Sequence, residues 1–443
     1  MSVLKRSWVV ILLWLVTLFL ALAMPAETSG SNNIFFHLNY LFGGLLLLSF
    51  LWARISLLGL RASRQLHSNR SQVGRYAEER FTVENTSPFP KLWLEIRDHS
   101  QLPSHLVSRV VSSLSAHGQR SWVVKTPCYR RGRFQLGPVT LYSGDPFGLF
   151  LLRRQLDLAG SIVVYPPTFD LPGFAPAVGQ LIGGDAHRRR THHVTTNVAG
   201  VRDYAPGDSF GRIHWPSTAR TGRLIVKEFE LDPLSDIWLF PDMERRVQVG
   251  SVRPVVPDVT LPSALRVLRD SPGAVELDPS TEEHAVAITA SLARHFLYRG
   301  WSLGMVTYPQ GQKRELAQAD RGERQLDRLL STLAVTRARG GVPLAQVLWA
   351  ELVYLTRNVT AIVVTSSTDG DWVAALRHLA VRGVHTVAVL VDPATFAPGS
   401  ARPEDTANVM ADLVSSHVPT YLVRYGDSLD VALSQANLQS QHV

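Results

Sequence analysis

The sequence predicts a membrane-anchored α+β multidomain protein with an N-terminal two-helix transmembrane hairpin, an Ig-like β-sandwich and a C-terminal doubly wound α/β domain. Three observations predict it. Two apolar runs occupy Trp8–Met24 and Ile34–Trp52, short strand patterns divided by Pro and Gly fill residues 72–166, and apolar strands alternate with amphipathic helices from residue 236 onward. The boundaries that follow are 1–64 for the hairpin, with spans at about 8–24 and 34–52, then 70–168 for the sandwich, 169–235 for a connecting segment and 236–443 for the α/β domain.

Each apolar run is 17 to 19 residues long, close to what a helix rising 1.5 Å per residue needs to cross a hydrocarbon core of about 30 Å. Lys5 and Arg6 before the first run, with Ala21-Leu22-Ala23-Met24 after its centre, resemble a signal peptide. A second run following the short link Pro25–Asn33 makes a hairpin the simpler reading. Basic residues set the orientation: Lys5 and Arg6 precede the first run, Arg54, Arg61 and Arg64 follow the second, and the link has no Lys or Arg. That asymmetry places both ends, and so the soluble domains, on the cytoplasmic side of the cell membrane. The lone Cys128 excludes an internal disulfide and suits a reducing compartment. A formal charge of +8 is accounted for by an anionic membrane lipid surface, worth about 1 kcal/mol per nearby basic residue, and calls for no nucleic acid.

In the sandwich region, Tyr76–Glu84 ends at Asn85-Thr86-Ser87-Pro88, and Lys91–Ile96 alternates so that Leu92, Leu94 and Ile96 share one face. Strands are also predicted at Ser121–Lys125, Val139–Tyr142 and Ser161–Tyr165, the spacing of an antiparallel sandwich. Further on, the period changes. Strands are predicted at Asp236–Phe240, Ser302–Thr307, Thr360–Thr365, His385–Val391 and Thr420–Arg424. Helices are predicted at Thr281–Tyr298, Arg324–Leu333, Leu344–Leu355, Trp372–Val381, Ala407–Ser416 and Leu429–Ala436. Continuously apolar strands separated by such helices imply a parallel sheet covered on both faces. Residues 247–280 hold several prolines and little periodicity, so an irregular insertion is expected there.

The densest chemistry lies between the two domains, where Val201 to Glu230 carries Arg202-Asp203-Tyr204, Pro206-Gly207-Asp208, Arg212 with His214-Trp215, Arg220, and Lys227-Glu228. In this order the series resembles the hallmark of the DUF58 family. Arg130-Arg131-Gly132-Arg133-Phe134, Gly144-Asp145-Pro146-Phe147-Gly148-Leu149-Phe150 and Glu282-Glu283-His284 extend the resemblance along the chain. The resemblance implies a two-span membrane protein with a β-sandwich and a C-terminal domain similar to von Willebrand factor type A. It also implies partners, a MoxR-type AAA+ ATPase and a transglutaminase-like membrane protein, and no established activity.

Carboxylates and guanidinium groups packed this closely favour bidentate pairs. Asp203 and Asp208 with Arg202, Arg212 and Arg220 are expected to form a network covered by Tyr204 and Trp215, serving as a clasp between domains or as a docking surface. Gly207-Asp208-Ser209-Phe210-Gly211 fits the pattern of a hydrolase elbow, but no apolar strand precedes it and no helix signal follows. In type A domains that bind Mg2+, the loop after the first strand reads Asp-x-Ser-x-Ser. Here it is Asp242-Met243-Glu244-Arg245-Arg246, which lacks both hydroxyls. Thr365 to Asp371 offers oxygens at the next loop, or a helix cap at Asp371. Asp242 and Asp369 are therefore the weak metal candidates, and no cofactor is expected. The tract His187–His193 reads as a solvated linker near lipid headgroups, and Walker-type phosphate loops are missing from the sequence.

The expectation is a membrane-anchored scaffold that recruits a partner and is not an enzyme. The alternative is a hydrolase or metal-dependent enzyme using Ser209 or Asp242.

Overall fold

The computed structural model describes residues 4–23, 31–105, 107–174, 194–205, 213–231, 236–251, 277–355, 357, 359–397, 399 and 402–434. These fall into two compact units, Met1–Pro167 in one and Thr168–Arg253 with Leu277–Val443 in the other. The architecture is mixed α+β, with apolar helices at the N-terminus and several sheets.

The first unit opens with helices α1 (Leu4–Ala23) and α2 (Ser31–Leu57). Gly43 of α2 lies under Trp14 of α1, where an added Cβ would come within 2.8 Å of the indole nitrogen, so the missing side chain is what lets the two helices approach. Most other apolar side chains point outward, among them Leu12, Leu15 and Phe19 on α1 and Leu41, Leu47, Leu48 and Leu51 on α2. Among the described residues, Ile34–Leu57 is the one stretch long and apolar enough to cross a membrane, while Trp8–Ala23 is shorter. The expected second span is thus part of a helix that continues five residues past Trp52. Met24 and most of the predicted link lie outside the described residues.

Ten strands follow: β1 (Leu60–Leu66), β2 (Arg70–Gln72), β3 (Tyr76–Asn85), β4 (Lys91–Asp98), β5 (Arg109–Leu114), β6 (Gln119–Pro127), β7 (Gly132–Leu136), β8 (Val139–Gly144), β9 (Leu151–Leu156) and β10 (Gly160–Tyr165). They form sheets ordered β1-β3-β6, β5-β4-β8-β9 and β2-β10-β7. Leu60, Phe81 and Val83 from the first sheet meet Leu94, Ile96, Val111, Val139 and Leu141 from the second in one core, so these two sheets make a sandwich. The period of two is what sends these residues inward. Leu92 breaks the predicted pattern, because it is 46% exposed. Lys91 is buried instead, its Nζ donating to the Ile55 carbonyl in the last turn of α2 at 2.6 Å.

In the second unit, β11 (Val194–Asp203) pairs antiparallel with β12 (Ile225–Leu231), and the short helix α3 (Trp215–Thr221) lies between them in sequence. The main sheet then uses β13 (Ile237–Pro241), β14 (Leu303–Gly311), β15 (Lys313–Asp320), β16 (Arg339–Gly340), β17 (Thr360–Thr365), β18 (His385–Val391) and β19 (Thr420–Val423). Its order is β15-β14-β13-β17-β18-β19, with β16 on β14. Helices α4 (Thr281–Tyr298), α5 (Gly322–Val335), α6 (Leu344–Glu351), α7 (Asp371–Val381), α8 (Pro393–Phe396), α9 (Pro403–Ser415) and α10 (Leu429–Ala432) accompany it. Phe240, Val306, Ala361, Val363 and Leu390 pack against α6, α7 and α9, while α4 packs on the sheet through its own buried apolar stripe.

Three expectations need correction here. The sheet is mixed, because β15 runs antiparallel to β14. Its sequence, KRELAQAD, is too polar to read as a strand, as befits an edge that faces water on one side. Helix α6 ends at Glu351 rather than Leu355. Asp371 is the first residue of α7, and the preceding Gly370 occupies the cap position. Of the predicted irregular insertion, residues 252–276 lie outside the described set, and its ends meet at a bridge between Gly250 and Ser280.

Candidate functional site

Two stretches carry the predicted site residues, both in the second unit. The first is the β11–β12 hairpin. Backbone register sets Val201 opposite Lys227, Gly200 opposite Glu228, Arg202 opposite Val226 and Asp203 opposite Ile225. Tyr204 N donates to Leu224 O at 2.9 Å and His214 N to Ile225 O at 2.8 Å, drawing the ends of the hairpin together. Pro216 sits in the first turn of α3, where its missing N–H costs nothing, and Gly222 ends the helix in the left-handed region with its N–H on Thr218 O at 3.0 Å. His214 is held by its Nδ1 against Ser217 Oγ at 2.7 Å.

This arrangement faces solvent. Helix α3 buries none of its residues, Trp215 is 64% exposed, and Arg202, Asp203, Arg220, Arg223 and Leu224 are exposed too. Of the expected network, Asp208 and Arg212 lie outside the described residues, and Arg202, Asp203 and Arg220 are exposed. Arg202 Nη1 reaches the Asp203 carbonyl at 3.1 Å, not its carboxylate. Pro206, Gly207, Asp208, Ser209 and Arg212 lie outside the described residues, as does the His187–His193 tract.

The second stretch is the C-terminal rim of the main sheet. After β13 the chain leads to β14 on one side, and after β17 it leads to β18 on the other, so Asp242 and Thr365–Ser367 flank the point where the winding reverses. Open α/β sheets bind ligands at such a crevice. Asp242 is buried, and both its oxygens are engaged: Oδ1 accepts the Glu244 N–H at 3.0 Å and Oδ2 the Thr365 hydroxyl at 2.6 Å. Gln248 Nε2 donates to its carbonyl at 2.8 Å. Burial pushes the Asp242 carboxyl up to about 6, against the pull of those hydrogen bonds. Glu244 is raised as well, first by burial, with Arg246 opposing and Asp369 adding to it. Asp369 N is tied to Ser367 Oγ at 3.3 Å. A cation at Asp242 would share its oxygens with the Glu244 amide and the Thr365 hydroxyl. No group of three or more His, Cys, Asp or Glu among the described residues is arranged to hold a metal.

The sequence reading missed a third cluster, inside the sandwich. Arg64 Nε lies 3.1 Å from Glu79 Oε2 and its Nη2 2.8 Å from Asp98 Oδ2, while His105 Nε2 stands 3.3 Å from Glu79 Oε1. All four side chains are at most 5% exposed. The signal was present in strand parity. Arg64 follows Leu60 and Ala62 on β1, Glu79 precedes Phe81 and Val83 on β3, and Asp98 follows Leu94 and Ile96 on β4, so each charge occupies an inward position.

Residues 200–262 match the model of a family described as "Protein of unknown function DUF58". The "Uncharacterized protein YeaD" of Bacillus subtilis (strain 168) is 23% identical over 399 residues, covering 87% of this chain and 88% of that one. The chain is thus similar to DUF58 proteins, through the family model at the hallmark segment and through the relative over most of its length. Two solved structures are similar over parts of it. The CARDB domain of the PF1109 protein from Pyrococcus furiosus is 13% identical and covers 24% of this chain and 86% of its own, with a TM-score of 0.18. Proximal thread matrix protein 1 from the mussel byssus is 13% identical and covers 37% and 39%, with a TM-score of 0.23. Scores this low carry no structural argument.

The Gly144–Phe150 series has a local explanation. Asp145 is buried at the turn between β8 and β9, accepting the Phe147 N–H at 2.9 Å and the Phe150 N–H at 2.6 Å. Gly144 admits no side chain, since a Cβ would come 2.4 Å from the Phe150 carbonyl. The turn seats α2: Ser56 Oγ donates to Gly144 O at 3.5 Å, and Phe50 meets Phe150 edge-on with centroids 5.7 Å apart.

Proposed function

We propose that this DUF58 protein is a membrane-anchored binding protein: α1 and α2 form a two-span hairpin, the Ig-like sandwich and the α/β unit stand on the cytoplasmic side, and the chain recruits a partner without bond chemistry of its own. The observation that carries the reading is the character of α2. Its outward side chains are mostly apolar, Ile34, Tyr40, Leu41, Leu47, Leu48, Phe50, Leu51 and Trp52, with His37 and Arg54 the polar ones, while its end is held in the sandwich by Lys91, Ser56 and the buried Ala53 and Leu57. A helix that is apolar outside and fastened at its end to a folded domain serves to hold that domain at a bilayer. Orientation rests on Lys5, Arg6, Arg54 and Arg61 flanking the two apolar helices.

The partner proposed is a MoxR-type AAA+ ATPase, by family resemblance, with a transglutaminase-like membrane protein beside it. The hallmark hairpin is the proposed contact, because exposed Trp215 with Arg202 and Arg220 is the composition of a recognition surface. A von Willebrand factor A-like reading of the α/β unit is supported by the strand order around β13 and the acidic residue at its end. The test uses the whole chain, purified in detergent from its own membranes. An AAA+ ATPase should co-purify, and Trp215→Ala should abolish its recovery while leaving thermal unfolding unchanged. Preparations in which no such ATPase is enriched would sink the recruitment reading.

A further inference from the structure

We infer that the β8–β9 turn lies in the lipid headgroup region beside α2, with Phe147 as its apolar anchor, so that the sandwich rests on the bilayer as well as hanging from it. The inference rests on reading α2 as a spanning helix, and it follows from depth. Phe150 packs on Phe50, seven residues before the end of α2 at Leu57, a distance of about 10 Å at 1.5 Å per residue. The turn therefore reaches back along the helix to the level of the exposed Phe50, Leu51 and Trp52. If that part of α2 is in lipid, a turn touching it is at the same depth.

The turn is built for such a place. Phe147 at its tip is 66% exposed, yet the backbone around it is largely satisfied from within. Pro146 has no N–H, Asp145 takes the N–H groups of Phe147 and Phe150, and Gly148 N donates to the Asp145 carbonyl at 3.3 Å. Internal satisfaction of this kind is what a low-dielectric interface demands of a non-helical segment. A second tip flanks the helix exit. Phe89, 54% exposed, stands between Pro88 and Pro90, and its carbonyl accepts from Asn85 Nδ2 at 2.9 Å. That loop is fastened to the chain two residues past α2 through Thr86 N on Gly59 O. Arg54, exposed in the last turn of α2, is the kind of basic residue that flanks a span on its cytoplasmic side.

The test places single cysteines at Phe147, Phe89 and, at the distal end of the sandwich, Lys125 in a Cys128→Ala background, labels each with an environment-sensitive fluorophore and reconstitutes the full chain into vesicles containing anionic lipid. Labels at Phe147→Cys and Phe89→Cys should shift to the blue, lose quenching by aqueous iodide and be quenched more by nitroxides at the headgroup than by nitroxides deep in the acyl region. The Lys125→Cys label should stay open to iodide. A Phe147→Cys label as open to iodide as Lys125→Cys overturns the inference. So does one shielded from iodide but untouched by lipid nitroxides, which would mean that a protein surface covers it. Failure of the chain to resist alkaline carbonate extraction would instead remove the membrane-anchored reading, and this inference with it.

Discussion

His105 Nε2 stands 3.2 Å from Asp98 Oδ2 inside the sandwich, with Glu79 on its other side and Thr126 Oγ1 on its Nδ1 at 2.7 Å. Burial alone would lower the His105 pKa, but the two carboxylates outweigh it and raise it. Burial likewise opposes ionisation of Asp98, yet hydrogen bonds from His105, Ser100 and Arg64 hold it at about 2. With a raised pKa, His105 contributes stability that is fully present below about 6.5 and lost as pH rises through its folded value. Asp98 contributes stability present above its ordinary 3.8 and lost as pH falls toward 2, worth roughly 2 kcal/mol for a shift of that size. Thermal unfolding of the detergent-solubilised chain should show its sandwich transition highest between about pH 4 and 6.5 and falling as pH rises through the folded value of His105. His105→Gln should flatten the alkaline limb. An unchanged slope in that variant would contradict the assignment.

Arg64 is the group that keeps the cluster neutral once His105 is charged. Replacing it with Met leaves Glu79 and Asp98 buried with one cation between them, a change expected to cost about 3–5 kcal/mol. The exposed pair Lys125–Glu78, 2.8 Å apart with both side chains at least 40% exposed, is the comparison, because breaking a surface pair costs under about 1 kcal/mol. Arg64→Met should therefore lower the sandwich transition far more than Lys125→Met. Equal shifts would show that burial of the cluster is not energetically significant.

How much of this was legible in the sequence follows from which forces are local. Alternation in β3 and β4 and the apolar runs of β17 and β18 announced themselves, since period and composition are written residue by residue. The antiparallel edge strand β15 did not, because half of its positions face water and it carries a single large apolar residue, Leu316. Lys91 misled for a different reason. Its burial depends on the carbonyl of Ile55, a partner thirty-six positions away that no period reveals. At the hallmark the residue types were plain, but charged side chains read equally well as a buried network or a wet surface. No period in the sequence separates the two, and Trp215 and Arg220 lie on a helix with no buried face.

Lys91 predicts a mechanical role that can be measured. Its ammonium sits at the C-terminal end of α2, where helix carbonyls lack partners and the dipole favours a cation. Lys91→Ala removes a hydrogen bond from a charged donor and leaves the Ile55 carbonyl to the Leu58 N–H alone, 3.1 Å away, which should destabilise the junction by about 1.5–3 kcal/mol. Limited proteolysis in detergent should then cut near Leu58-Gly59 faster than in the unaltered chain, while the α/β unit stays resistant. Unchanged cleavage would place the hold of the sandwich on α2 with Ser56 and Phe150 instead.

Asp242 carries the opposite sign from Asp98. Its folded pKa is raised from 3.8 to about 6, so between those values the folded state binds a proton that the unfolded state has released, and stability falls as pH rises through the window. Asp242→Asn removes the titration. An amide, however, keeps one acceptor where the carboxylate had two, and its NH2 must find a place beside Thr365 Oγ1, which already accepts from Ser367 N at 2.9 Å. The variant should therefore be less stable than the parent at pH 4, where the parent's carboxyl is largely protonated and can both accept and donate. It should narrow or close the gap by pH 7.5, where the parent holds a buried charge against only the Glu244 amide and the Thr365 hydroxyl. Unfolding midpoints of the α/β transition at the two pH values decide this. A gap that stays constant, or widens on the alkaline side, would mean that Asp242 is ionised at both and that its hydrogen bonds outweigh its burial.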